Sequence, residues 1–168
     1  MENFRRVQIM DVDDGTLLPF KNLHPHVAQM RVKEGSKIRN LVGYALSYMG
    51  SEGTGQIVFS AYGRAVTKAI TCVEILKRQV GGLHQITKVQ YKVLQEVWQQ
   101  KGTEINNPAP CLTVHKNVPS ICILLSKDPL DPQENGYQAP QSFCKRETQD
   151  EAISMKRKAN ESIGEGEG

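Results

Sequence analysis

At 168 residues the chain can hold one ordinary domain plus tails, and its 39% hydrophobic and 23% charged residues are globular proportions, unlike those of fibrous chains. The net charge is only +3, yet ten Lys/Arg stand against three Glu between Arg31 and Lys92, so the excess lies in the part that folds. Such a basic surface suits a polyanionic partner as well as it suits bulk solvent. Cysteines 72, 111, 122 and 144 form no C-x-x-C pair and show no ligand-like spacing with His24, His26, His84 or His115, so neither a metal site nor a cofactor is expected. No apolar run approaches ~20 residues and the N-terminus has no signal-peptide core, which predicts an intracellular protein with reduced thiols.

Residues 1–25 read as a flexible arm of mixed charge, with a turn-rich cluster at Asp11 to Gly15 and prolines at 19 and 25. His26 to Val32 alternates and predicts a first strand. At Gly35-Ser36-Lys37 the chain turns into a helix, for which Ser36 is the expected cap. Ile38, Leu41, Val42, Ala45 and Met49 then recur at helical spacing. Gln56 to Tyr62 is a nearly continuous apolar run, as in a strand buried on both faces. A second strand-to-helix turn follows at Gly63-Arg64-Ala65. The stripe of the second helix is Val66, Ala69, Ile70, Val73, Leu76 and Val80, closed by Gly81-Gly82. Leu83 to Trp98 alternates as a long amphipathic strand, and Lys101 to Pro110 is a loop. Cys111 to Ser126 is the last strand, where Pro119 predicts a bulge. The order β-α-β-α-β-β predicts an α+β domain over residues 26–140. Its mixed four-stranded sheet would be covered by two helices on one face, with the last two strands forming a long hairpin. Residues 141–168 are polar, without a stripe, and read as a disordered tail.

Basic residues gather at the two turns. Lys37 and Arg39 occupy the first helix start, where a cation opposes the helix dipole and so points to an external anion. Arg64 and Lys68 repeat that arrangement at the second. Lys88 and Lys92, sharing a strand face with Gln90, read equally well as an RNA contact or a solvated edge. Lys77 and Arg78 near a helix C-terminus are structural. Tyr62 reads as a core or dimer aromatic, with stacking on an unpaired base as the sharper alternative. Lys145-Arg146 and Lys156-Arg157-Lys158 have the spacing of a split nuclear-import signal. Asp11, Asp13 and Asp14 with His24 and His26 lack a scaffold to hold catalytic geometry, so no enzymatic activity is expected.

Several phrases are more specific. Met30 to Asn40, the run Gly63-Arg64-Ala65-Val66-Thr67-Lys68-Ala69-Ile70, Glu74 to Arg78, Gly82 to Gln85 and Leu124 to Pro132 resemble the Alba family. They are most similar to its branch of Alba-type subunits in eukaryotic ribonuclease P and ribonuclease MRP. The resemblance implies a sheet order 1-2-4-3 and a heterodimer with a smaller Alba-type subunit. It also implies binding to the P3 domain of the catalytic RNA, in tRNA and rRNA processing in the nucleus and nucleolus. Archaeal members that coat DNA carry two adjacent lysines at the first turn; here Ser36 takes the first place and Lys37 the second, which speaks against chromatin coating. The positions expected to touch RNA are Arg31, Lys33, Gly35, Ser36, Lys37, Arg39, Gly63, Arg64, Lys68, Lys88 and Lys92. The competing reading is a protein–protein dimerisation module whose basic face adds little RNA affinity.

Overall fold

The structure is a computed structural model that describes residues 3–11, 18–52, 55–102 and 110–141. The tail beyond Gln141, with Cys144 and both basic clusters, and residues Asp13 and Asp14 lie outside the described residues. The elements are β1 (Phe4–Asp11), β2 (Ala28–Arg31), α1 (Ile38–Gly50), β3 (Gln56–Tyr62), a single 3₁₀ turn (Gly63–Ala65), α2 (Val66–Val80), β4 (His84–Gln100), β5 (Cys111–Ser126) and β6 (Tyr137–Gln138). They build one six-stranded sheet in the order β1-β4-β5-β3-β2, with β6 also on β4. Within it, β2-β3-β5-β4 is the expected 1-2-4-3 order. β2 and β3 run parallel because α1 carries the chain back across the sheet, and β4 and β5 pair antiparallel over their whole length.

Both helices cover one face. Ala45 and Met49 of α1, Ala69, Cys72, Val73 and Leu76 of α2, and Ile57, Phe59, Ile123 and Leu125 of the sheet form the main core. The predicted stripes lie in this core with one correction: Ile70 of the second stripe is exposed, and Cys72 is buried in the core beside the stripe residues. Burying such side chains stabilises the domain by about 1.5–3 kcal/mol each. At its C-terminal end α1 is anchored by Lys127, whose ammonium donates to the Met49 carbonyl.

The expected flexible arm is corrected at two places. Phe4–Asp11 is a strand, paired antiparallel with β4 from Gln100 to Leu94 and bulged between Arg6 and Gln8. Arg6 there pairs with the buried Glu96 at 3.3 Å, and Trp98 Nε1 donates to the same carboxylate. Val7, Ile9 and Met10 stay exposed, so this strand is held by its ladder and one ion pair and leaves no apolar stripe to read. Leu18, Phe20, Leu23 and Val27 pack with Leu130 and Tyr137 over Val58, Ile86 and Leu124 on the second face of the sheet. The domain therefore begins well before residue 26.

Pro119 makes no bulge, and the β4–β5 register runs unbroken through Tyr91↔Pro119. β3 ends opposite Ser120, so no strand on that side requires an N–H from Pro119. After β5 the chain folds back along β4. The carbonyl of Gly136, a residue at φ +85°, accepts from Thr87 N at 3.0 Å, and a Cβ there would meet Thr87 O at 2.1 Å. Only glycine fits that approach.

Candidate nucleic-acid interface

Parallel neighbours place the ends of β2 and β3 side by side, so the two turns that follow them form one edge of the molecule. Lys33 to Ser36 is a tight turn closed by Ser36 N donating to Lys33 O at 3.0 Å. The hydroxyl of Ser36 accepts from Lys33 N at 3.1 Å. It is spent on the turn and does not cap α1, which corrects the expected role. Lys37 occupies the cap position instead, and no side chain caps the helix. At the second turn Gly63, at φ +59°, lets the strand swing into the 3₁₀ turn that leads α2, again without a side-chain cap. Neither helix has an acid in its first turn. Two positive helix ends with unsatisfied N–H groups therefore lie together at one edge.

The cations around these ends divide into exposed and occupied. Arg31, Lys33, Lys37, Arg39 and Arg64 are all exposed, and the Arg64 side chain keeps 86% of its surface in solvent. Glu34 lies 3.7 Å from Arg64 but is itself 70% exposed, a contact worth ~0–1 kcal/mol and readily exchanged for a phosphate. Lys68 is turned inward. Its ammonium donates to the carbonyls of Ser36, at 2.6 Å, and of Glu34, binding the second helix to the first turn. Lys68 thus positions the site. Gly35 and Gly63 keep the backbone bare, with no atom within 4 Å of a hypothetical Cβ at either.

Lys88 and Lys92 are not part of this edge. Both lie on the sheet face away from the helices, where Lys88 pairs with Glu134 at 2.7 Å and Lys92 Nζ sits 4.7 Å from the Tyr62 ring centroid. The carboxylate of Glu134 comes from the Leu130–Tyr137 segment that folds over β4, which the spacing of Lys88 could not reveal. Lys77 is nearly fully buried beside Glu74, at 3.2 Å, in keeping with a structural role.

On the face that carries the helices, the middle of the hairpin is bare. Val89 and Tyr91 alternate with Lys88, Gln90 and Lys92, and expose 71% and 79% of their surfaces; Ile70 on α2 is also exposed.

Fold and site together define an α+β protein whose paired strand-to-helix turns form a positively charged edge. The Alba family profile matches residues 28–93, from β2 through the first half of β4. The ribonuclease P protein subunit p25 of Rattus norvegicus is 50% identical over 154 residues, which cover 83% of this chain and 77% of that protein. The ribonuclease P protein subunit p25-like protein of Mus musculus is 44% identical over 140 residues, 83% of each chain. Among solved structures, Alba from Thermoplasma volcanium aligns at 19% identity with a TM-score of 0.41, over 58% of this chain and 98% of that one. The chain belongs to the Alba family, on the branch that holds the p25 and p25-like proteins.

Proposed function

We propose that the chain is a non-catalytic, RNA-binding subunit of a ribonuclease P or ribonuclease MRP particle. In this reading it grips the P3 domain of the catalytic RNA as half of a heterodimer with a smaller Alba-type chain, in the nucleus and nucleolus. The observation that carries the reading is the pair of uncapped helix starts set side by side with Lys37, Arg39 and Arg64 exposed around them. Fixed N–H groups and mobile cations at one edge suit the phosphates of a folded RNA, which are read by position and not by base. The relatives named as ribonuclease P subunits supply the particle, and the RNA in it carries the chemistry.

The bare middle of the hairpin, Val89 and Tyr91, supports the heterodimer, because a stable partner needs ~800 Å² per side and exposed aromatics anchor such surfaces. The test is a filter-binding titration of the full chain, alone and with the smaller subunit, against a stem-loop RNA at rising salt. Binding should weaken linearly in log–log form, with a slope of about −0.7 to −0.9 for each phosphate gripped. A chain that joins the smaller subunit yet adds no salt-dependent affinity would be a dimerisation module only.

A further inference from the structure

The sheet carries a second basic surface that the two turns do not explain. Val58, Ile86 and Leu124 lie on the face opposite the helices, under the layer made by Leu18 to Val27 and Leu130 to Tyr137. The strand register puts Tyr62, Gln90, Lys92 and, from β2, Arg31 on that same face, toward the other end of the strands. In that half Tyr62, Gln90 and Arg31 are exposed.

Tyr62 is out of place as a core residue. It ends β3 and opens 41% of its surface to solvent. The Lys92 ammonium lies over its ring at 4.7 Å, which restrains the ring and sets a positive charge beside it. Gly63 adds no side chain on the way to Arg64, so the flank between the aromatic ring and the basic edge stays open. Lys88, one row further along, is already neutralised by Glu134.

We propose that the exposed ring of Tyr62 is a platform for an unpaired RNA base, with the flanking phosphates held by the half-exposed Lys92 and the exposed Arg31. One aromatic among cations and amides suits a polyanion with a flat apolar base better than it suits an apolar protein strip. A base paired inside a stem cannot use the ring, because both its faces are already covered by its neighbours. The inference rests on the RNA-binding reading and adds to it the class of RNA: a stem whose phosphates reach the two turns, followed by at least one single-stranded nucleotide that crosses onto the sheet.

The test uses the full chain and two RNAs, a stem closed by a loop of unpaired adenosines carrying one 2-aminopurine, and the same stem as a blunt duplex. The wild type should quench the 2-aminopurine on binding. Tyr62→Leu should abolish the quench and weaken the loop RNA by about 5- to 150-fold, the factor that ~1–3 kcal/mol per stacked base represents. Duplex affinity and the salt slope should not change, and Tyr62→Phe should bind both RNAs like wild type. Undiminished binding of the loop RNA by Tyr62→Leu would overturn the platform while leaving the turns untouched. Equal weakening on both RNAs, with a lowered melting temperature, would also overturn it, by making Tyr62 a structural residue. Wild-type failure on both RNAs would reject the RNA-binding reading on which the platform depends.

Discussion

The Lys68 ammonium, carried on α2, donates to the carbonyl of Ser36 at 2.6 Å, so the start of one helix is fastened to the start of the other. The second bond, to Glu34 O, makes the attachment two-pronged and fixes the spacing of the two helix starts. Lys68→Met keeps most of the aliphatic stem and removes both bonds. It should lower stability by about 1–3 kcal/mol in urea unfolding, because the charged group made hydrogen bonds to backbone that nothing replaces. RNA affinity should fall as well, because the spacing of the two turns goes with those bonds. Unchanged stability would show that the turns hold their spacing without it.

The double substitution Lys37→Glu with Arg64→Glu addresses the exposed cations that we propose grip phosphates. Both are exposed, and neither belongs to the core stripes. An acid near a helix start is mildly favourable, by ~0.3–1 kcal/mol, and the Arg64–Glu34 ion pair that it removes is of similar size. Melting temperature should therefore move little. RNA affinity should drop at least tenfold, and the salt slope should shallow by about 1 for each phosphate released. Circular dichroism alongside the titration separates this from unfolding; weakened binding with a diminished helical signal would assign the turns a structural role.

Gly136→Ala puts a methyl group where Thr87 O would lie 2.1 Å away, at a φ of +85°. Backbone must move, and the Thr87–Gly136 hydrogen bond goes with it. The expected loss is about 2 kcal/mol or more in chemical denaturation. Gly35→Ala is the matched control, since no atom lies within 4 Å of its added Cβ and its φ is not positive. Equal stability of the two variants would mean that the segment after β5 is not seated on β4.

Two thiols, Cys72 and Cys122, should make stability fall at alkaline pH. Burial pushes the Cys72 thiol above its usual range, opposed by the nearby Lys68 charge, and burial raises Cys122 against the pull of Lys92. The unfolded chain thus ionises these thiols first. Their contribution is fully present below the ordinary thiol range near 9.0 and is lost as pH rises through that value toward the folded ones. Replacing both by Ala should flatten that part of the stability-against-pH curve, and a curve of unchanged steepness would show that the thiols do not contribute.

The α+β body was legible because its apolar residues recur with two periods: the stripes at Ile38–Met49 and, apart from the exposed Ile70, Val66–Val80, and the solid run Ile57–Phe59. The turns were legible as glycines beside cations at the helix starts. Three things were not. β1 buries little and binds β4 from the far end of the chain, so its own residues carry no repeat. Lys68 and Lys88 look like any exposed lysine until the fold brings a carbonyl or Glu134 against them. Ser36 has the residue type of a cap, but the tight turn before it claims the hydroxyl first.

The pairing of β1 with the outer half of β4 also sets an order of assembly. Phe4 meets Gln100, and Asn3 O accepts from Lys101 N at 2.7 Å, so a segment made early on the ribosome waits for a stretch made almost a hundred residues later. Pairings so distant in sequence close slowly. Until they close, Glu96 lacks Arg6 and the outer edge of β4 lacks a neighbour. Until β1 pairs, the outer end of β4 stays an open strand edge that any other chain nearby could take up.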